Sequence, residues 1–295
     1  VRQFAYIAYL PGCKKTVQIK ELQFGRYKHL IKAITNDSNN IIAEFFDELL
    51  VDLCPNNPAV IEYSFLDKLI LLLTIRAINI APDLELTVTC PETQSTFNFT
   101  LLITDIINKI QSLNLPESIY SIIKTYNDGN LIIELGMPSI ININSNDLAL
   151  FETVIKKIHL NGKDVTNIKN QIAEHLPITI LKDIKDYINE FSKTLQDIKL
   201  LSIRSPFAKT ESNIEIPLNL FSNSIIEFLK ICFKRNLLSI YELEYFLLSK
   251  LNIDYELVKT STPAELNIYI NMFKEEKQEE EKTHRSNKAL NPLQP

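Results

Sequence analysis

Apolar residues recur along this chain at two different spacings, and the way the two interleave confines the fold more than any other feature. Leu84, Leu86, Val88 and Cys90 alternate with Glu85, Thr87 and Thr89. After the turn Pro91-Glu92-Thr93-Gln94, Phe97 and Phe99 alternate with Asn98. Period two on both sides of a turn is the pattern of a β-hairpin with one covered face. Elsewhere the spacing is three or four: Ile41, Ile42, Phe45, Phe46, Leu49 and Leu50 share one side of a helix, with Glu44, Asp47, Glu48 and Asp52 on the other. The two kinds of stretch follow each other at short intervals. We therefore expect an α+β fold in which local β-hairpins are packed with amphipathic helices.

The first region, residues 1–115, reads as one α+β domain. Extended segments at Ala5–Leu10 and Thr16–Leu22 flank Pro11-Gly12, a turn signal. Helices are expected over Phe24–Ile34, Asn40–Leu53 and Ser64–Asn79, the last buried on most sides, and Ile103–Leu113 closes the region. Residues 116–219 read as a second α+β region. Ile119–Tyr126 and Asn130–Gly136 flank Asn127-Asp128-Gly129, where a hairpin turn needs positive φ. Asp147–Ile158 has helical spacing, Leu160–Val165 pivots on Asn161-Gly162, and Ile178–Phe191 is a helix entered after Pro177. Alternation at Ile198–Ile203 and again at Ile214, Ile216 and Leu218 makes another hairpin. The order helix, hairpin, helix thus occurs around 84–99 and again around 198–218, as a true repeat or by coincidence.

Residues 220–282 read as a helical C-terminal unit. Ser222–Lys234 begins it. Ser239–Leu251 follows, with Ile240, Leu243, Leu247 and Leu251 on one face and Tyr241, Tyr245 and Leu248 widening it. Thr262-Pro263-Ala264-Glu265 has the form of a capping box with proline in the first turn. It opens a helix whose stripe is Leu266, Tyr269, Ile270 and Phe273. From Lys274 to Lys282 every residue is polar, so this acidic stretch should project or fray, and 283–295 is expected to be a disordered tail.

Composition removes several kinds of activity. The 295 residues carry a formal net charge of −5 with 45% hydrophobic and 23% charged residues, an ordinary globular balance. Basic residues are scattered, the densest pairs being Lys14-Lys15 and Lys156-Lys157, so no row of cations is available to neutralise a nucleic-acid backbone. The five glycines are too dispersed to build a phosphate-cradling loop. The longest apolar run, Leu69–Ile75, is far short of the roughly 20 residues that span a bilayer. Cys13, Cys54, Cys90 and Cys232 are widely and irregularly spaced, which suits free thiols in a reducing cytosol. Cys90-Pro91 at a strand end is half of a zinc knuckle, but Thr93 stands where the second cysteine would be. His29, His159, His175 and His284 are isolated, and no Gly-x-Ser-x-Gly, His-Glu-x-x-His or Gly-x-Gly-x-x-Gly occurs. We expect no enzyme, no cofactor, no metal, and neither nucleic acid nor membrane as partner. The start at Val1 leads us to expect an initiator residue or a further segment before it.

What remains is contact. A small helical unit cannot easily cover a helix that is apolar around more than half its circumference, so Tyr241, Tyr245, Tyr269 and Phe273 are the candidate partner-contact residues. The order of features resembles the baseplate hub and hub-assembly proteins of T4-like contractile-tailed bacteriophages. It is carried by Tyr9-Leu10-Pro11-Gly12, Phe45-Phe46-Asp47, Asp67 with Leu71–Arg76, Val88-Thr89-Cys90-Pro91, Leu237–Tyr245, Thr262–Glu265 and Ile268-Tyr269-Ile270. Thr93 departs from the metal-knuckle form of some relatives. The resemblance implies a non-enzymatic structural or assembly protein, present in the host cytoplasm during assembly and in the virion tail baseplate if retained. It would bind other baseplate hub and tail proteins. Two alternatives stay open: a transient assembly chaperone absent from the virion, and a host-directed phage protein with an unrecognised activity.

Overall fold

The computed structural model describes residues 6–36, 38–139, 151, 153–207, 213–217 and 224–290. Its organising element is a helix that water scarcely reaches. Helix α1 spans Phe24–Asn36, α2 spans Asn39–Leu53 and α3 spans Phe65–Asn79. Twelve of the 15 residues of α3 are buried, among them Asp67, Lys68, Arg76 and Asn79. Buried polar groups are tolerated only when they are bonded, and each of these four ties α3 to a different part of the chain.

Asp67 Oδ1 accepts from the Gly12 amide at 2.9 Å, in the turn joining strands β1 (Tyr6–Leu10) and β2 (Lys15–Ile19). A Cβ at Gly12 would overlap the Asp67 carboxylate, which is why the turn carries glycine there. Lys68 Nζ meets Asp47 Oδ1 of α2 at 2.7 Å. Asn79 Oδ1 accepts from the Leu22 amide at 2.8 Å. Arg76 donates to the carbonyls of Ala81, Asp83 and Cys232. Ser64 caps the helix, its hydroxyl accepting from the Asp67 amide at 3.2 Å.

The expected first hairpin is present, with Ala8, Leu10, Val17 and Ile19 buried. So is the second, β3 (Asp83–Thr89) with β4 (Thr96–Leu102), in which Leu86 pairs Phe99 and Val88 pairs Phe97. Helix α4 (Ile103–Gln111) follows without a loop and packs on α3. After the short α5 (Glu117–Tyr120) comes an antiparallel four-stranded sheet in sequential order: β5 (Ser121–Tyr126), β6 (Leu131–Gly136), β7 (Ile155–Leu160) and β8 (Lys163–Asp164). Positive φ falls at Asn127 (50°) and Gly129 (93°) in the β5–β6 loop, and at Asn161 (52°) and Gly162 (76°) between β7 and β8.

The helix expected over Asp147–Ile158 needs correction. Residues 147–150 and 152 lie outside the described residues; Phe151, Thr153 and Val154 are helical as expected, but from Ile155 the chain is a strand. The register against β6 shifts between Glu134 and Leu135, so that Leu135 faces Ile155 while Glu134 faces Lys157. The bulge leaves Lys156 unpaired and lets Ile155 and Ile158 both face the core. A three-residue spacing of apolar residues therefore arose within a strand.

Helix α6 (Lys169–Glu174) leads to α7 (Ile178–Gln196), whose buried face is Ile180, Ile184, Tyr187, Ile188, Phe191 and Leu195. Strands β9 (Lys199–Arg204) and β10 (Asn213–Pro217) form the last hairpin; the expected strand residue Leu218 lies outside the described residues. Four helices follow: α8 (Ser224–Phe233), α9 (Leu237–Ser249), α10 (Tyr255–Thr260) and α11 (Pro263–Leu290). The architecture is α+β, with small antiparallel hairpins and C-terminal helices. The order helix, hairpin, helix occurs at α3-β3-β4-α4 and at α7-β9-β10-α8.

The C-terminal helices close over the N-terminal ones. The Phe24 amide donates to the Ser261 carbonyl at 2.7 Å, and Lys28 meets Glu244 at 2.5 Å. Arg76 Nε and the Tyr27 hydroxyl donate to the carbonyls of Cys232 and Phe233, which end α8. One buried cluster runs from Ala8 to Leu266.

Candidate docking groove

Helices α9 to α11 are positioned by their caps. Asn236 Oδ1 accepts from the Leu238 amide at 2.9 Å, and Asp254 Oδ1 accepts from the amides of Glu256 and Leu257. The capping box of α11 is formed in both directions: the Thr262 amide donates to Glu265 Oε2 at 2.7 Å, and the Glu265 amide to Thr262 Oγ1 at 3.2 Å.

These fixed starts decide which faces turn outward. On α9, Ile240 and Leu247 are buried, while Leu238, Tyr241 and Tyr245 follow each other at spacings of three and four on the exposed side. On α11, Leu266 is buried, whereas Ile268 (58% exposed), Tyr269 (40%) and Met272 (61%) stay in contact with water. Between the end of α9 and the flank of α11 lies a groove of about 490 Å³. Leu251, Ile253, Tyr269, Met272 and Phe273 make its apolar lining, and Lys250 and Glu276 add one charge of each sign.

The structure divides the four residues singled out from the sequence. Tyr269 and Phe273 line the groove together. Phe273 is half-buried, its ring against Phe246 with centroids 5.6 Å apart, so it joins α11 to α9 as well as facing the groove. Tyr241 lies elsewhere, with Lys28 Nζ 4.3 Å and Lys32 Nζ 5.6 Å from its ring centroid, and is 41% exposed. Tyr245 is 64% exposed. Sequence reasoning did not single out Met272 and Ile253, and it read Leu251 as part of the apolar face of α9, which ends at Ser249. Met272 was detectable as the residue three after Tyr269; the other two sit in the α9–α10 connection and reach the groove only because the chain reverses there.

Residues 2–221 match a family described as T4 bacteriophage base plate protein. The chain belongs to that family. No curated protein and no solved structure matches it. The baseplate assignment gives the protein a structural role in the phage tail, among other baseplate proteins. The matched stretch ends before α8, so the groove belongs to the part of this baseplate protein beyond the family match. No helix among the described residues is long and apolar enough to cross a membrane.

Two further cavities of the baseplate protein bear on chemistry. One, of about 460 Å³, is flanked by Arg26, Lys28, Lys32 and Lys259. Its cations are largely compensated: Arg26 meets Asp52 at 2.6 Å, Lys28 meets Glu244 and Lys259 meets Glu256 at 3.7 Å. The other, of about 150 Å³, has Cys13, Tyr63, Asp67, Tyr120 and Lys156 in its walls. Here Asp67 secures the β1–β2 turn, and burial raises its pKa. Among the described residues no group of three or more His, Cys, Asp or Glu could hold a metal ion. Cys90 is buried, and the nearby Ser205 and Thr93 side chains hold its thiol pKa down at about 7.

Lys156, the bulged residue, donates to the Thr153 carbonyl at 3.1 Å. Burial first, then Lys169 and Lys68, push its pKa down to about 8. The unfolded chain holds that proton up to about pH 10.4. Between the two values the unfolded state binds more protons, so this group's contribution to stability rises with pH from about 8 to 10.4, and below 8 its penalty is fully present. Lys156→Met should accordingly raise stability at pH 7 by about 1–3 kcal/mol and flatten that alkaline rise. Urea unfolding of both proteins at pH 7 and pH 9.5 measures the difference.

Proposed function

We propose that this baseplate protein is a non-enzymatic component of the baseplate hub and docks onto neighbouring hub and tail proteins through the face formed by α9 and α11. The observation that carries the reading is the groove: five apolar side chains, two of them aromatic, around an open cleft on a capped and therefore rigid helical frame. Large aromatic side chains contribute most where a partner excludes water from them.

Replacing Tyr245 and Tyr269 together with serine should weaken binding to co-purified tail proteins by about tenfold or more. The cost to monomer stability should stay near 1 kcal/mol, as for surface positions outside the core. Equal loss of binding and stability would show that these tyrosines act as core. Mass spectrometry of purified virions tests the hub assignment. Stoichiometric presence supports a resident component, whereas absence from the virion would mark a transient assembly chaperone.

A further inference from the structure

Lys156 reaches the interior because the backbone makes way for it. The bulge leaves it unpaired in β7. On the neighbouring strand, Gly136 gives its stem room: a Cβ there would come within 2.9 Å of Lys156 Cγ and 3.1 Å of Cε. The Thr153 carbonyl receives the amine at 3.1 Å. The side chain forms part of the wall of the cavity of about 150 Å³, with Cys13, Tyr63, Asp67 and Tyr120. That volume has space for several water-sized groups. Of the charged groups around the amine, Lys169 and Lys68 act against its ammonium form, and Glu62 and Glu134 support it. Lys169 Nζ is fixed on the Ile155 carbonyl at 3.3 Å. Glu62 is exposed, and Glu134 already meets Lys157 at 3.2 Å. The fold holds an amine where its charge is disfavoured, and such placement is how a lysine becomes nucleophilic near neutral pH.

We infer that Lys156 is a carboxylation site, where the ε-amine adds carbon dioxide and becomes a carbamate. The nitrogen lone pair forms the N–C bond, one C–O electron pair moves onto oxygen, and a proton leaves the nitrogen for Glu62 or solvent. No oxidant, leaving group or catalytic residue is needed. The step requires an uncharged amine. With its pKa at about 8, roughly a tenth of Lys156 is uncharged at pH 7, against less than about a thousandth of an ordinary lysine. The product reverses the local charge: Lys169 and Lys68 oppose the ammonium and attract the carbamate. An acyl donor suits the site less well. It brings a leaving group into a small cavity and yields a neutral amide, which the two cations do not favour. The adduct forms on the folded chain and scarcely on the unfolded one, so it stabilises the native state. Lys156 belongs to the stretch that matches the family, and its chemistry is independent of what fills the groove on α9 and α11.

The test places the full chain in carbon-13 bicarbonate at about pH 8 and reads it by carbon NMR, beside Lys156→Met and the control Lys157→Met. The α-amino group titrates in the same range and also adds carbon dioxide. The diagnostic carbamate signal is therefore the one that Lys156→Met removes and Lys157→Met leaves. Methylation with a trialkyloxonium salt, followed by peptide mass spectrometry, should locate the adduct on Lys156. The urea midpoint of the parent should rise as bicarbonate replaces chloride at constant ionic strength, and that of Lys156→Met should not. Lys156→Met is expected to fold at least as well as the parent, and circular dichroism verifies that it does. A parent without a second carbamate signal, the same signals in Lys156→Met, or an equal response of both midpoints to bicarbonate would overturn the inference. The hub assignment would survive any of these outcomes, because it depends on virion composition and on tail-protein binding by the tyrosine variants.

Discussion

Asp47→Ala will destabilise the fold by about 3–5 kcal/mol, and Lys68→Met will cost far less, about 1 kcal/mol. The asymmetry follows from where the two ends of the pair sit. The Lys68 side chain is 1% exposed and its ammonium is held by Asp47 at 2.7 Å, whereas the Asp47 side chain is 29% exposed. Removing the carboxylate leaves a cation with neither partner nor water. Removing the cation leaves a carboxylate that water can still reach, and methionine fills most of the vacated volume. Burial already lowers the Lys68 pKa, with Asp47 opposing it. Without Asp47 the folded-state pKa falls further below that of the unfolded chain. The unfolded state then binds the extra proton over a wider range, so the stability of Asp47→Ala should recover as pH rises. Replacing both residues, Asp47→Leu with Lys68→Met, should come within about 1 kcal/mol of the parent. Urea midpoints at pH 7 and pH 9.5 compare the four proteins. A single-variant cost for Asp47→Ala no greater than that for Lys68→Met would show that water reaches Lys68 once its partner is gone.

This pair also marks where sequence reading stopped. That α3 would be buried on most sides was visible in Leu69–Ile75, and its start was visible in Ser64. The partners of its polar residues were not. Gly12, Asp47 and the Cys232 carbonyl are 55, 21 and 156 positions away, and nothing local in the chain specifies them. The β3–β4 hairpin was legible almost to the residue, because its alternation and its turn lie within one short segment. β7 was not, because the bulge at Lys156 gave a strand the spacing of a helix. For the candidate site, the aromatic stripes of α9 and α11 and the capping box at Thr262 could be read directly. Which tyrosines share a surface could not: Tyr241 is partly covered by Lys28 and Lys32 from α1, more than 200 residues earlier. The groove itself depends on a chain reversal after Ser249 that brings Leu251 and Ile253 against α11.

Arg76→Ala should be about as damaging as Asp47→Ala, at about 4 kcal/mol. Its guanidinium donates to Cys232 at 2.6 Å, to Asp83 at 3.1 Å and to Ala81, and the residue is 6% exposed. Alanine leaves three carbonyls without this donor and opens a cavity beneath them. Two are in the turn that launches β3; the third is in the last turn of α8, where a cation also complements the helix dipole. Arg76→Lys should recover less than half of the loss, because an ammonium cannot reach three divergent carbonyls from one fork. The consequence for the docking face is indirect but specific. Only Lys234, Arg235 and Asn236 separate α8 from α9, so loosening the end of α8 frees the frame on which Tyr245 and the groove are set. Hydrogen exchange followed by mass spectrometry reads this directly. Arg76→Ala should lower amide protection in α3, α8 and α9 by a similar factor, as one cooperative body would. Loss confined to the α3–β3 turn would mean that the C-terminal helices are held by Tyr27, Lys28 and the apolar core without help from Arg76.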